Sequence, residues 1–408
     1  MKAKNAVENG CSLQSCVDPV VSRYYPQLLD SAHACLAVFG AMSLGKRTKP
    51  LSLMFEGTSG FGKTAVLQMV LPAKGTELEK HVYRSDKFTP KAFVTHAANV
   101  AREDLDKMDL LPQLDKKVFV TKELAPIFRG REEEMRENFS ILISILDGKG
   151  FASNSGMRGK RGYERPIIFN WVGATTPLPS STHRLMSQLG TRLLFYEVPT
   201  NFPTDEQLLE YAEQDEASLA EDECRNAVQK FLIEFFRAHP VGSVPPESIT
   251  FSKEFLSKLV LWVRFLAAGR AEVTFEKNGS NWEPVAAMPA EGPWKIVTYF
   301  KDLARGHALI RGSSTINQSD IDLVAHVAIS SIPAHLRPIV RQLMCTKSVN
   351  TATAMKVCRV SHPTARSYLK QLSLLGITEL TKGSPQDNQA DTITLRQSYR
   401  WLNPDLEI

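Results

Sequence analysis

Eight consecutive residues constrain this chain more than any other stretch. Gly57-Thr-Ser-Gly-Phe-Gly62-Lys63-Thr64 fits the pattern G-x-x-x-x-G-K-[ST]. Such a run has a physical logic. Glycines let the backbone turn its N–H groups inward around phosphates, an ammonium reaches the outer phosphates, and a hydroxyl ligates Mg²⁺. Gly57, Thr58, Ser59, Gly60, Phe61, Gly62 and Lys63 are the expected cradle, and Thr64 the expected metal ligand. The setting agrees: Leu51-Ser-Leu-Met-Phe55 is an apolar run that fits a buried strand, and Ala65 to Leu71 fits a helix ended by Pro72. A nucleoside triphosphate is the expected ligand.

The neighbouring sequence extends the pattern. Further apolar runs at Val118–Val120, Ile167–Val172 and Leu193–Val198 read as strands. A long helix is expected from Arg131 to Leu146, with Phe139, Leu142, Ile143 and Leu146 inward and Glu132, Glu133 and Glu134 at its dipole-favoured start. Strands alternating with helices predict an α/β fold with a mainly parallel sheet covered on both faces. Tyr24 to Leu44 reads as a helix and residues 1–20 as loosely ordered. From Asp205 to Ile332 the pattern is helical, except for a Gly/Pro-rich loop or hairpin at Ala271 to Gly292.

Composition matters chiefly through charge. The net charge of +5 is modest, but Arg337 to Arg400 holds ten Lys/Arg against three acids. A basic terminal module on a neutral body points to a polyanion partner, with a solvated basic face as the alternative. No run of about 18 apolar residues occurs, and Met1 to Val20 lacks the apolar middle of a secretory signal, so a cytoplasmic protein is expected. The scattered Cys11, Cys16, Cys35, Cys224, Cys345 and Cys358 form no zinc spacing and are expected to be reduced.

Hydrolysis needs an acid at the end of a neighbouring strand. Val118-Phe-Val-Thr121 is followed by Lys122-Glu123 where an Asp-Glu pair is usual. Glu123 can polarise water, but Lys122 cannot bind Mg²⁺ as Asp would, which puts efficient turnover in question.

The order of these features resembles the AAA+ ATPases, over roughly residues 25–335. The resemblance implies ATP as the nucleotide. Ile167-Ile-Phe-Asn-Trp-Val-Gly-Ala174-Thr175-Thr176 looks like the strand carrying that family's first sensor; Thr176 is the best match, with Thr175 next, where the family usually has Asn. Leu189-Gly-Thr-Arg192 looks like the arginine-finger segment, which implies that Arg192 reaches a neighbouring subunit's nucleotide; a structural salt bridge is the alternative. Lys295, in Glu291-Gly-Pro293-Trp294-Lys295, occupies the place of the second sensor's arginine. The insertion Gly148 to Arg165 looks like the pre-sensor hairpin of helicase-type members, including the minichromosome-maintenance group, and of ATPases carried by phages and plasmids. That likeness makes Lys149, Arg158, Lys160, Arg161 and Arg165 candidates for DNA phosphate contacts, against the alternative of a solvated loop.

Near the C-terminus, Thr351 to Cys358 fits a helix, Arg359 to His362 a tight connection, and Pro363 to Leu375 a second helix opened by proline and closed by Gly376. Ile377–Leu380 and Thr392–Leu395 alternate as strands. The order resembles a winged helix, whose second helix enters the major groove. Thr364, Arg366, Ser367 and Lys370 would then face DNA, with Arg359 and Lys382 near phosphates; a module used for protein contacts is the alternative.

The expected organisation is an N-terminal helical segment (1–45), a P-loop AAA+ core (46–204), a helical lid (205–335) and a C-terminal winged-helix domain (336–408). The expected function is that of an oligomeric ATPase, a hexamer by the resemblance, acting on DNA as a helicase, translocase or replication factor of mobile-element type. The alternative is an ATP-gated switch that binds DNA or a partner and turns over slowly or never.

Overall fold

The computed structural model describes residues 11–96, 100–155, 159–189, 192–200, 204–206, 209, 217–279, 281–383 and 390–403. Two compact units emerge, interleaved in sequence. One comprises Met1–Pro177, Thr191–Leu256 and Tyr299–Val324; the other comprises Leu178–Gly190, Ser257–Thr298 and Ala325–Ile408.

The first unit is built on a parallel sheet of five strands. They are β1 (Leu51–Glu56), β2 (Val82–Arg84), β3 (Val118–Thr121), β6 (Asn170–Thr175) and β7 (Leu193–Glu197), in the order β2-β3-β6-β1-β7. The α/β class with a parallel sheet is therefore what the chain adopts. Strands β1 and β6 are buried along their whole length, as a parallel sheet covered on both faces requires. Phe88, Phe93, Phe119 and Trp171 form an aromatic cluster against the sheet. The Trp171 indole meets its polar need by donating to Thr121 Oγ1 at 2.9 Å.

Strand β6 starts three residues later than the apolar run suggests. Asn170 explains the boundary. It is fully buried; its Oδ1 accepts from the Leu51 N–H at 3.0 Å and its Nδ2 donates to the Val38 carbonyl at 2.6 Å. One amide thus joins the starts of β1 and β6 to the Leu29–Met42 helix. That helix is shorter than the periodicity predicts, because Tyr25-Pro26 interrupts it. In turn, residues 11–24 are ordered. Leu13–Val17 and Asp18–Tyr24 are helical, with Leu13, Val17 and Val21 buried at four-residue spacing. Cys11 and Cys16, expected as free thiols, are bonded to each other across this turn, where their Cα atoms stand 5.6 Å apart.

The Leu29–Met42 helix meets the Trp294–Ile310 helix backbone to backbone. A Cβ placed on Gly40 would lie 2.3 Å from the Gly306 carbonyl oxygen, and one on Gly306 would lie 2.2 Å from that of Ala37. Only glycine permits this approach.

Strands β4 (Phe151–Ser155) and β5 (Gly159–Tyr163) form the inserted antiparallel hairpin. In the second unit the Gly/Pro-rich segment is a hairpin of β8 (Val273–Asn278) and β9 (Asn281–Ala287). The terminal part of that unit packs helices Arg337–Cys345, Thr351–Cys358 and His362–Leu374 with an antiparallel sheet of β10 (Ser348–Asn350), β11 (Thr378–Thr381) and β12 (Thr392–Leu395), ordered β10-β12-β11. Arg359 caps the Thr351–Cys358 helix with φ 54°, the left-handed geometry of a tight connection. No described helix is long and apolar enough to cross a membrane.

Candidate nucleotide site

The register of the sheet brings the candidate residues to one edge. Glu56 pairs with Thr175 on one side and with Glu197 on the other, so β1, β6 and β7 end level. The Gly57 N–H donates to the Thr175 carbonyl at 3.3 Å, which starts the loop directly beside the end of β6. Gly60 and Gly62 have φ of 90° and 84°, so the loop uses its glycines for turns that other residues resist. The chain then enters the Lys63–Met69 helix.

Lys63 is 7% exposed, and its Nζ donates to the carbonyls of Gly57 and Thr58, each at 2.7 Å. The ammonium therefore lies inside the curve of its own loop. Burial pulls its proton affinity down, while the nearby Glu123 carboxylate opposes the shift. That coupling places Glu123 within electrostatic reach of Lys63, although 60 residues separate them in sequence. Thr64 is exposed at the loop end. A buried cation, glycine turns and an exposed hydroxyl fit a phosphate chain with its metal, and Thr64 is the residue that would hold Mg²⁺.

Strand β3 delivers Glu123 to the same edge: Leu124 N–H donates to the Ala174 carbonyl at 2.8 Å, one residue short of Thr175. Glu123 is exposed, and its Oε1 accepts from the Ala125 N–H at 2.8 Å. Lys122 points elsewhere; its Nζ lies 3.9 Å from Asp86 Oδ1. Asp86 is also held by two hydrogen bonds from Arg84, of 3.0 and 2.6 Å. The Thr176 hydroxyl accepts from Arg129 Nη2 at 2.9 Å. Arg129, exposed and 47 residues away in sequence, is a cation at this edge that the sequence pattern does not single out. Glu56, an acid buried at the end of β1, also stands at this edge without being singled out by the pattern.

Arg192 lies at the opposite edge, immediately before β7. It is 9% exposed and its Nε donates to Asp147 Oδ1 at 3.0 Å. Lys295 opens the Trp294–Ile310 helix and belongs to the other compact unit.

The inserted hairpin differs from expectation. Arg161 is buried, donating to Asp109 at 2.8 Å and to Asp106 at 3.1 Å, so it is not placed to meet a DNA phosphate. Arg165 Nη1 donates to Asp115 at 2.6 Å, and Lys160 pairs with Glu164. Lys149 is exposed. Arg158 lies outside the described residues. A local count of charge finds no acid before Glu164, but the fold imports Asp106, Asp109 and Asp115 from earlier in the chain.

In the terminal module, Arg359 and Lys382 are exposed. Arg366 Nε donates to Asp391 Oδ2 at 2.5 Å, and Lys370 Nζ lies 3.6 Å from Glu283 Oε2 of β9. The Thr364 hydroxyl is 3.0 Å from that of Ser361.

No family model matches the chain. No curated protein matches it either. Among solved structures, the crystal structure of a full-length MCM homolog from Methanopyrus kandleri is similar to it at 14% identity, with a TM-score of 0.41. The match covers 77% of this chain and 59% of that one. A likeness of this size carries no argument, and the α/β assignment rests on the chain's own strand order.

Proposed function

We propose that this chain is an ATP-binding, oligomeric ATPase of AAA+ type that acts on DNA, as a helicase, translocase or replication factor of mobile-element type. The reading rests on one observation: the Gly57–Thr64 loop leaves the end of β1 with Lys63 buried at its centre and electrostatically coupled to Glu123 from β3. Residues 46–204 form the nucleotide core in this reading, 205–335 the lid with Lys295, and 336–408 a winged helix that meets DNA through Arg359, Thr364 and Lys382. Thr176 senses the outer phosphate. Arg192 supports oligomerisation by its place. It stands at the opposite end of the strands from its own loop, roughly 15–20 Å away along a five-residue strand, so it would serve a nucleotide only in a second copy, exchanging its Asp147 partner for that nucleotide. A hexameric ring would supply that arrangement at each interface.

The test is nucleotide binding and DNA-stimulated phosphate release, measured on the full chain and on Lys63→Ala. Binding and release should both disappear in the variant. Full DNA-stimulated ATPase in Lys63→Ala would refute the site.

A specific observation favours a second reading, an ATP-gated switch that assembles on DNA or a partner. Lys122 stands in the usual Asp position and faces Asp86. Strand displacement with turnover supports the motor, whereas assembly with ATP on gel filtration, without turnover, supports the switch.

A further inference from the structure

Two adjoining clefts open within the second unit, beside the β8–β9 hairpin. One, of about 320 Å³, runs between the Ser180–Leu189 helix, the start of β8 and the His362–Leu374 helix; Arg184, Arg270, Phe275, His335 and Tyr368 are among its walls. The other, of about 410 Å³, continues along the hairpin between Arg184, Phe275 and Trp282. They share Arg184, Glu272, Val273 and Phe275, and so form one trough.

The hairpin sorts its side chains by face. Lys277 pairs with Trp282 and Phe275 with Pro284, so strand alternation puts these four on one side. Glu276 and Glu283 pair on the other side, and Glu283 approaches Lys370. Trp282 and Phe275 line the trough, and alternation places Lys277 on their face of the hairpin, while Glu276 and Glu283 lie on the opposite face and Glu272 is the one acid among the lining residues. Trp282 is 65% exposed and Phe275 37%. An indole held in water on a hairpin contributes little to the core, yet it offers a flat apolar surface. Arg184 is exposed across the trough. The whole unit holds sixteen Lys and Arg against nine Asp and Glu, a surplus that draws polyanions.

Aromatic faces interleaved with cations are what an unpaired strand requires, because each base has a face to stack and each phosphate a charge to meet. A duplex keeps its bases stacked on each other and offers no such faces. We propose that this trough binds single-stranded nucleic acid, with a base stacked on Trp282 and Phe275 and neighbouring phosphates facing Arg184 and Lys277. The site stands whether or not the phosphate loop turns over ATP.

The experiment titrates the full chain, without nucleotide, with a twelve-residue oligothymidylate, reading tryptophan fluorescence and anisotropy of a labelled oligomer. Quenching is expected. Trp282→Ala should raise Kd between about fivefold and a hundredfold, the range that loss of one stacking platform gives. Trp282→Phe should keep most of the affinity while losing most of the quenching. Arg184→Ala should weaken binding and flatten its dependence on log salt by about 0.7, one phosphate contact on a single strand. Lys63→Ala should bind the oligomer as the parent does, which separates this site from the nucleotide reading. Unchanged affinity in Trp282→Ala overturns the proposal, as does equal binding of a blunt duplex or of thymidine monophosphate. The exposure of Trp282 means that its replacement leaves folding intact, checked by circular dichroism.

Discussion

Arg161 and Asp109 hold each other inside the protein: Nη2 donates to Oδ2 at 2.8 Å, with side chains 4% and 0% exposed. Asp109 also accepts from Tyr163 OH at 2.9 Å and from the Thr95 N–H at 2.6 Å. One carboxylate therefore ties strand β5 of the inserted hairpin to two earlier stretches of chain. Asp109→Ala should cost about 3–5 kcal/mol, because it strands a buried cation. Arg161→Met with Asp109→Asn should cost less than the sum of the two single changes. Urea unfolding of Asp109→Ala, of the two single changes of the cycle and of the double variant measures both; strict additivity would show that the pair is not coupled.

Gly306→Ala should destabilise the chain by about 2 kcal/mol or more, against the gain of about 1 kcal/mol that Ala normally brings to a helix. The added methyl would meet the Ala37 carbonyl, which is backbone and cannot swing aside. Thermal unfolding gives the answer, and a raised Tm would contradict the close approach.

The His183 ring should make the fold acid-sensitive. Burial, and then the charges of Arg337, His335 and Arg270, push it down to about 3 from an ordinary 6.5. The folded chain resists a proton that the unfolded chain accepts, so its contribution is complete above pH 6.5 and is lost as pH falls from there toward 3. Stability should fall by up to about 1.4 kcal/mol per pH unit across that window. His183→Asn should flatten the slope in urea unfolding between pH 7 and pH 5; an unaltered slope would assign the effect to other groups.

Glu123→Gln should leave ATP binding intact and reduce turnover at least about a hundredfold, as removal of a general base does. Release of labelled phosphate in single-turnover conditions reads this directly. A variant as active as the parent would exclude Glu123 from the chemistry.

What the sequence reveals follows from distance along the chain. The phosphate loop is eight consecutive residues whose chemistry is local, so its pattern suffices. The same holds for β3, an apolar run, for the two hairpins, which carry glycines, and for the Thr351–Cys358 and His362–Leu374 helices, the second bounded by Pro363 and Gly376. Pairings across long separations leave no such mark. Arg161 looks like a free cation until Asp106 and Asp109 arrive from more than 50 residues upstream. Arg129 acquires its place only when β6 sets Thr176 beside it. The apolar run places the start of β6 too early because Asn170, a polar residue, opens the strand by binding backbone that no local pattern reveals.

The contact of Gly40 with Gly306 also has an evolutionary consequence. Two helices resting on bare backbone have no side chain to exchange for another of similar bulk, so neither position can drift alone. Substitution at one requires the helices to separate, which would carry the second position with it. Descendants of a common ancestor should therefore retain or lose this pair together, making two linked glycines 266 residues apart a mark of kinship.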